Sequence, residues 1–440
     1  MLRVERPLYR HAGGAMLRAT VRPLHQAPAQ WPMLTDPHSC RSWVRAVWGL
    51  PGFAEATQFA SSSFASEVEA VINGQATDSL RVRRVTKSVI RYLQRSLGRP
   101  TPFGLFAGVS PVVVGDEVRV EWGVNHRLLV RADTLWLDDV IERLETSPGV
   151  LPLLDVAASD LVVERGERIE LPRGPGRVTA RNTKVVRMAR ETAAVPIRFS
   201  ALAGKIGEAF PHVPPDTIHG TVRALVAQGV LITALRAPMT VTDPLEHTIA
   251  TLDRAAVAAG GDPTGAVREL RAIQDLIRTH NAADTSPSDR PRLRALASER
   301  MRRMSSAGRA TLAGDLHLDC HLTLPAGLAA EMAQAATALL LLTRQPRPDE
   351  AWNDWCREFW ERYGTGAVVP VTEAVHPDAG IGWPAGFPGS MLPGPETRVS
   401  RRDEELLRLA CEALADGRRE VVLTDDVIAG ITADEPVDPR

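Results

Sequence analysis

The sequence predicts a protein of the α+β class, and two patterns carry this prediction. Residues 81–98 have an amphipathic helical pattern that places Val82, Val85, Val89 and Leu93 near one face and ends at Gly98. From about residue 159 there are two or three strand-like runs, DLVVERGERIEL, GRVTARNTKVVRMARE and a short VPIRF. The composition is typical of a globular protein: 44% of the 440 residues are hydrophobic, and the formal net charge is -1.

The remaining elements follow from the same patterns, and the length alone favours about three domains. We place domain boundaries at 1–154, 155–237 and 238–440. Strands are expected at 16–24, in the two runs after the turn at 100–104, and at 315–325. Helices are expected in 53–74, 134–147, 245–310 (broken by GGDPTG and SPSDRP), 327–343, 349–363 and 402–416.

Several function classes are excluded at this level. The four cysteines, Cys40, Cys320, Cys356 and Cys411, lie far apart and form no Cys-x-x-Cys pair, which argues against a disulfide framework or a zinc ribbon. No signal peptide or membrane span is expected, so we predict a cytoplasmic protein. The common hydrolase, nucleotide and metalloprotease motifs are absent.

Residues 155–237 have the order of a winged helix-turn-helix: strands, a helix, a turn, a second helix and a terminal strand. Asp216 is a plausible N-cap and Gly229 a plausible stop for the second helix. A DNA-binding role is disfavoured, because Arg223 is the only Lys or Arg in that helix and a major-groove reader usually carries several.

Positive charge is concentrated between Asp78 and Asp116, an interval without any acidic residue. On a helix, one face would carry cations at a spacing of three or four residues: Arg84, Lys87, Arg91 and Arg95. The full interval also contains Arg81, Arg83 and Arg99. Such a stripe is typical of a phosphate-tracking surface, and the alternative is a solvated basic face. Because like charges this close repel one another, we favour a polyanion or phosphate site.

The stripe runs into Arg99-Pro100-Thr101-Pro102-Phe103-Gly104. Two prolines fix the backbone, so the Arg99 guanidinium and the Thr101 hydroxyl would be held on a stiff turn. A stiff polar turn suits a binding or catalytic site, and a turn that only ends the helix is the equally weighted alternative.

The segment DLHLDCHLTLP alternates with a period of two, which places His317, Asp319 and His321 on one face of a strand. Two histidines and a carboxylate could bind zinc. Any half-exposed strand gives the same spacing, and no further ligand cluster lies nearby in sequence, so we predict no metal.

The segment RYLQRSLGRPTPFGLFAGV (91–109, the hallmark segment) resembles the hallmark of the lantibiotic dehydratases, class I enzymes that use glutamyl-tRNA to modify Ser and Thr of precursor peptides. Weaker similarities are scattered along the chain in the right order: MLRATVRPL near the start, then, after the hallmark segment, VRADTLWLDDVIERL, LHLDCHLTLP and FWERYGTGAVVPVTEAVHPDAGIGWP. The resemblance implies a glutamylation-domain fold, glutamyl-tRNA as co-substrate and no further cofactor. It also implies transfer residues at Arg18, Arg95, Arg99, Thr101, Asp133 and Asp319, and tRNA contacts at Arg83, Arg84, Lys87 and Arg91.

The winged helix resembles the element with which such enzymes bind the leader of the precursor peptide as an added strand. The receiving strand would be 182–191, with Val185, Val186 and Met188, next to Val222 and Leu225 of helix 216–228.

Members of the family are considerably longer than this chain, and the similarity stops before any elimination domain. We therefore expect an N-terminal fragment or one component of a split enzyme completed by a partner chain. The competing hypothesis is a catalytically incomplete subunit that binds the leader peptide and tRNA.

Overall fold

The computed structural model describes residues 8–173, 176–261, 265–343, 350–394 and 399–432. The chain forms two compact units. The larger unit comprises Met16–Ser110 and Trp122–Cys320, and the smaller one comprises Met1–Ala15, Pro111–Glu121 and His321–Arg440. Helices and strands are mixed along the chain, which confirms the α+β class. The predicted domain boundaries near 154 and 237 lie inside the larger unit and stay predictions.

The larger unit begins with strand β1 (Ala15–Thr20) and four helices: α1 (Pro37–Trp48), α2 (Phe53–Ala60), α3 (Ser62–Ile72) and α4 (Ser79–Gly98). The predicted apolar stripe of α4 is fully buried in a core shared with α1, α2 and α3. The Asp78 carboxylate caps α4, because it accepts hydrogen bonds from the backbone N–H groups of Leu80 and Arg81. Burial of the valine face leaves the cationic face of the same helix in solvent.

Three strands and a helix follow: β2 (Ala107–Gly115), β3 (Arg119–Trp122), β4 (Arg127–Ala132) and α5 (Thr134–Thr146). β1 pairs with β2, and the Val21 N–H donates to the Phe106 carbonyl over 3.3 Å. In α5 the predicted amphipathic pattern is confirmed, with Trp136, Val140 and Leu144 buried.

Residues 155–237 contain two small antiparallel sheets and three helices. The elements are β5 (Asp155–Ala158), β6 (Val163–Arg165), β7 (Arg168–Arg173), β8 (Gly176–Arg181), α6 (Lys184–Thr192), β9 (Ile197–Arg198), α7 (Phe199–Ala209), α8 (Pro215–Ala227) and β10 (Leu231–Thr233). The strand orders are β6-β7-β8 and β10-β5-β9. The helix, turn, helix and terminal strand occur as predicted, whereas their identity as a winged helix stays a prediction.

The predicted strand at 182–191 is wrong, because this segment is helix α6. Thr183 caps the helix through a hydrogen bond from the Val186 N–H to its side chain. Val186 and Ala189 are buried at a spacing of three residues, which is the helical period. The β-branched pair Val185-Val186 favoured a strand in the sequence, and the cap together with tertiary burial overrides that preference.

Three helices, α9 (Pro244–Ala259), α10 (Ala266–Asn281) and α11 (Arg290–Met304), precede β11 (Leu312–His317) and β12 (Cys320–Pro325). The predicted single strand at 315–325 is therefore two strands. β11 pairs antiparallel with β4 along its whole length, and it pairs in parallel with β2 at Val109. β12 pairs in parallel with residues 112–115 of β2 and lies beside β3.

The smaller unit adds α12 (Ala326–Leu341), α13 (Glu350–Tyr363), α14 (Val371–Ala374), α15 (Arg401–Ala415) and α16 (Asp425–Thr432). Along α13 the rings of Trp352, Trp355, Phe359 and Tyr363 contact one another in series. No helix in the described ranges is long and apolar enough to cross a membrane.

Candidate functional site

Within the described ranges, no acidic side chain neutralises the cationic face of α4. Side chains of Arg81, Arg83, Arg84, Lys87, Arg91, Arg95 and Arg99 form no ion pair with any described residue. Arginines elsewhere commonly do so: Arg119 pairs with Glu121 at 2.6 Å, and Arg177 pairs with Glu170 at 3.0 Å. Because an uncompensated row of cations raises the local positive potential, the structure supports an anion-binding face here.

Arg95 is the half-buried member of this row. Its guanidinium lies over the Phe103 ring, with 4.2 Å between the carbon Cζ and the ring centroid. Its Nε atom is buried and has no hydrogen-bond partner in the described structure. Burial, and then the charge of Arg99, lower the pKa of Arg95. A desolvated guanidinium beside a second cation is stabilised by an anion, so this is the position on α4 best suited to hold one.

The hallmark turn continues from the end of α4. Arg99 is the C-cap of the helix, and its N–H donates to the Arg95 carbonyl over 3.2 Å. Thr101 is exposed two residues later. Arg18 is exposed on β1, and Thr20 of that strand donates a hydrogen bond to the Leu97 carbonyl. The structure thus gathers Arg95, Arg99 and Thr101 at one end of α4, next to the strand that carries Arg18.

The Phe59 ring packs between the hallmark turn and strand β11. A Cβ at Gly104 would lie 3.1 Å from this ring, and one at Gly314 would lie 2.6 Å from it. Glycine at both positions therefore lets the Phe59 ring sit against two backbones. The Arg294 guanidinium also lies over the Phe59 ring, with 5.8 Å between the carbon Cζ and the ring centroid. Arg294 forms an ion pair with Glu55 at 2.6 Å.

Asp133 and Asp319 are not brought together. Asp133 is the N-cap of α5, and its N–H donates to the Thr311 carbonyl just before β11. Asp319 follows the other end of β11 and is bonded to residues that precede β4. Since the six paired residues of β4 and β11 lie between them, the two carboxylates are about 20 Å apart. They cannot contact the same substrate group.

Asp319 is held by the loop that leads into β4. Its Oδ2 atom accepts from the Asn125 N–H at 2.9 Å, and its own N–H donates to His126 Nδ1 at 3.0 Å. Burial lowers the pKa of His126, an effect that the nearby Asp319 charge opposes. His126 therefore accepts this hydrogen bond as a neutral imidazole. Asp319 holds the loop before β4 in place and is also a candidate transfer residue.

His317 and His321 are exposed on either side of Asp319. Across the described ranges, no three His, Cys, Asp or Glu side chains are close enough to hold a metal ion.

The residues predicted for leader-peptide contact are mostly interior. Val222 is 0% exposed and Leu225 is 3% exposed in the core, and Val186 is also buried. Val185 and Met188 are half-buried on α6. A cavity of about 350 Å³ opens instead between α5, the end of β7 and the end of α8. Its lining includes Leu171, Arg223, Ile232 and the buried Glu145, which pairs with Arg236 at 2.9 Å.

Sequence reasoning missed Phe59, Arg294 and His126. A helical period in one sequence does not say which distant residue a single side chain will meet, so no signal identifies these three. The contacts of Phe59 with Gly104 and Gly314, of Arg294 with Phe59, and of His126 with Asp319 join segments that are far apart in the chain.

Comparisons with known proteins point to one family. The family model described as lantibiotic dehydratase, N terminus, matches residues 50–440. The subtilin biosynthesis protein SpaB of Bacillus subtilis is 24% identical over 327 residues, which cover 71% of this chain and 30% of SpaB.

Two solved structures are similar in fold. The tRNA-dependent lantibiotic dehydratase MibB from Microbispora sp. 107891 is 31% identical, with a TM-score of 0.75 over 99% of this chain and 41% of MibB. The glutamylation domain TbtB from thiomuracin biosynthesis is 19% identical, with a TM-score of 0.54 over 90% of this chain and 50% of that one, and shows the fold alone. The chain thus spans well under half the length of SpaB and MibB, and it belongs to the lantibiotic dehydratase family, whose N-terminal region it matches.

Proposed function

We propose that this chain takes part in the transfer of glutamate from glutamyl-tRNA to Ser or Thr side chains of a ribosomally made precursor peptide, the first step of dehydration. One observation carries the proposal: the unpaired cations of α4 lead directly to the Arg95 guanidinium on Phe103 and to Arg99. A row of cations of this length suits a nucleic-acid backbone, and its end suits a smaller anionic group.

The reaction is an acyl transfer. The Ser or Thr oxygen attacks the carbonyl carbon of the glutamyl ester, and its proton passes to a base. The bond from that carbon to the ribose oxygen breaks, and the ribose hydroxyl recovers a proton. The product is an ester of glutamate with the side chain, and this turns the hydroxyl into a carboxylate leaving group for a later elimination.

Arg95 and Arg99 would hold the acceptor-end phosphate or the glutamyl carboxylate, because guanidinium groups bind both bidentately. Thr101 would hydrogen-bond at the same end of α4. Asp133 and Asp319, about 20 Å apart along β4 and β11, would serve different substrate groups. Arg18 would contact the same acceptor end from β1, and Arg83, Arg84, Lys87 and Arg91 would contact the tRNA backbone.

The leader peptide would bind to residues 155–237 by strand addition, and we place the receiving edge at β8 instead of 182–191. β8 is an edge strand of the β6-β7-β8 sheet, with β7 on one side and no described strand on the other. An edge of this kind offers free backbone donors and acceptors to an extended peptide.

A partner that supplies the rest of the transfer site and an elimination domain is part of this proposal. A second candidate function rests on the cationic face of α4 and the β8 edge. The chain would then be a binding subunit that presents the leader peptide and tRNA to that partner.

The test is a transfer assay with purified chain, glutamyl-tRNA and a precursor peptide, read as a gain of glutamyl mass, with and without the partner. We expect Arg99→Ala to lower the transfer rate at least about tenfold, because a charge-assisted hydrogen bond contributes roughly 1.5–3 kcal/mol. Arg303→Ala is the matched control, since Arg303 is exposed and paired with Glu299.

Unchanged transfer by the Arg99→Ala chain would refute this assignment of the site. Binding of tRNA and leader peptide without transfer, even with the partner present, would favour the binding subunit.

A further inference from the structure

An aromatic ring holds the Arg95 side chain without neutralising its charge. The Arg95 Cζ lies 4.2 Å from the Phe103 centroid, and the side chain forms no hydrogen bond or ion pair with any described residue. Of the α4 cations, Arg95 is the only one that lies over a ring in the part of the chain that the structure describes. A carboxylate in place of the ring would cancel the charge, whereas the face of a ring leaves the charge and the N–H groups available.

Arg294 shows the contrasting arrangement. Its guanidinium also lies over a ring, that of Phe59, but it pairs with Glu55 at 2.6 Å and bonds to His280 at 3.1 Å. The charge and the donors of Arg294 are therefore used within the protein. Those of Arg95 are left to bind a group that comes from outside.

The Phe103 ring is in turn fixed by the core of the larger unit. It stacks on Phe106, with 6.0 Å between the centroids and 10° between the ring planes, and Phe106 is 1% exposed. Tyr92 of α4 contacts both rings, with centroid distances of 6.5 Å to Phe103 and 5.6 Å to Phe106. Aromatic pairs have preferred geometries, so these contacts restrict where the Phe103 ring can lie.

The backbone of the hallmark turn brings this ring back to α4. The Phe103 N–H donates to the Ala107 carbonyl over 3.2 Å, and the Phe106 N–H donates to the Phe103 carbonyl over 3.0 Å. Gly104 between them has a φ of +49°, in the left-handed region that favours glycine. A tight turn and a ring stack thus position the surface on which the Arg95 guanidinium lies.

We propose that Phe103 is a positioning residue for glutamyl transfer: its ring holds the Arg95 guanidinium at the end of α4, with the N–H groups directed to the anionic group of glutamyl-tRNA. Phe103 acts through Arg95 and makes no contact of its own with the substrate. A long arginine side chain loses rotational freedom when it binds an anion, and the ring restricts that freedom beforehand. The inference rests on the proposed function and adds to it a residue outside the reacting groups.

The first experiment compares Phe103→Leu, which keeps an apolar side chain without the ring, with Phe103→Tyr, which keeps the ring. The readouts are KM for glutamyl-tRNA and kcat in the transfer assay, with the partner present where the wild type needs it. The matched control is Phe387→Leu. Phe387 is a 40% exposed ring stacked on Trp352, and no cation in the described structure lies over it.

We expect Phe103→Leu to raise KM about three- to tenfold, the effect of a partly exposed cation–π contact. The kcat should stay within about twofold, because the substrate carries its anionic group both before and during the reaction. Phe103→Tyr and Phe387→Leu should keep both constants within about twofold of the wild type.

A merely structural role gives another pattern, because loss of folded protein lowers kcat and leaves KM unchanged. That pattern overturns the inference, and so does a Phe103→Tyr chain with the KM of Phe103→Leu. Urea unfolding of each variant shows how much of any change in kcat comes from lost stability.

A double-mutant cycle tests whether Phe103 acts through Arg95. Filter binding gives the Kd of glutamyl-tRNA for the wild type, Phe103→Leu, Arg95→Gln and the double variant. Phe103→Leu should weaken binding about three- to tenfold when Arg95 is present, and by less than about twofold when it is not. An equal effect in both backgrounds overturns the inference.

The two experiments separate this inference from the proposed function. A wild type that transfers glutamate, together with a cycle that shows no coupling, refutes the role of Phe103 alone. Absence of transfer by the wild type with its partner refutes the proposed function, whereas the binding cycle still decides whether Phe103 acts through Arg95.

Discussion

Asp319 owes its position to the absence of a side chain at residue 123. A Cβ added at Gly123 would lie 1.8 Å from Asp319 Oδ2, the atom that accepts from the Asn125 N–H. The carboxylate cannot move aside without losing that hydrogen bond. Gly123 therefore sets the orientation of Asp319, although the two residues are almost 200 positions apart.

We predict that Gly123→Ala destabilises the protein by about 1–3 kcal/mol, through overpacking and the loss of the Asn125 hydrogen bond. The measurement is the free energy of unfolding in urea. Gly220→Ala is the control, because a Cβ there has open space on α8 and alanine is the better helix former by roughly 0.5–1 kcal/mol. Equal stability of the two variants would contradict the close approach at Gly123.

A buried histidine links α10, α11 and β4. His280 Nδ1 donates to Asn281 Oδ1 at 2.9 Å, and its Nε2 accepts from Arg294 at 3.1 Å. The Asn281 amide in turn bonds to both the N–H and the carbonyl of Val130. The bond from Arg294 needs a neutral imidazole, because Nε2 of a protonated ring cannot accept, and burial lowers the pKa of His280. Arg294, which also lies over the Phe59 ring, is therefore held in place by an uncharged His280.

We predict that stability falls as the pH drops below about 6.5, the ordinary pKa of histidine, by at most about 1.4 kcal/mol per pH unit from this residue. The sign follows because the unfolded chain binds the proton at a higher pH than the folded one does. Urea unfolding at pH 7.5 and 5.5 should show a smaller drop for His280→Asn than for the wild type. The exposed His212→Gln should retain the full drop, and a full drop in His280→Asn would refute the assignment.

At the scale of elements, α4 combines a buried valine face with an unpaired cationic face. Both faces follow from the helical period. Because the valine face is buried in the core, the cationic face points to solvent. If this face contacts tRNA, its cations release counterions on binding, and the affinity then depends steeply on salt.

We predict that the triple variant Arg84→Gln, Lys87→Gln, Arg91→Gln lowers the slope of log Kd for tRNA against log salt concentration by about two to three, roughly 0.7–0.9 per lost contact. Filter binding over a series of salt concentrations measures the slope. The control is Arg303→Gln, Arg357→Gln, Arg408→Gln, three exposed arginines that already pair with carboxylates. Equal slopes for the two triple variants would make the α4 face a solvated one.

The edge strand β8 gives a second prediction at this scale. Addition of a leader peptide should protect the backbone amides of Gly176–Arg181 from hydrogen exchange, because a new strand would hydrogen-bond to them. The amides of α6 (Lys184–Thr192) are already bonded within the helix and should change little. Hydrogen exchange with mass spectrometry separates the two segments, and protection confined to α6 would refute β8 as the receiving edge.

At the scale of the whole molecule, the chain divides into two compact units. The cationic face and the hallmark turn both belong to the larger unit, which encloses the core shared by α1, α2, α3 and α4. The proposed tRNA contacts therefore lie within one unit.

Local patterns in the sequence were sufficient for the family, the α+β class and most elements, because the hallmark segment and the helical periods are contiguous. The buried stripe of α4 is confirmed in this way. The segment 182–191 was not predicted correctly, since a helix cap and burial against distant residues decided between two local preferences.

The candidate site likewise has a part that local sequence patterns predict and a part that depends on tertiary contacts. The sequence by itself determined which residues form the basic row and the hallmark turn, because their spacing along one helix and one turn is local. Only the tertiary structure decided that Arg95 lies on Phe103, that Phe59 joins the turn to β11, and that Asp133 and Asp319 lie at opposite ends of a strand pair. The physical reason is that strand pairing and ring packing join residues more than 200 positions apart, and no local period encodes which distant segments will meet.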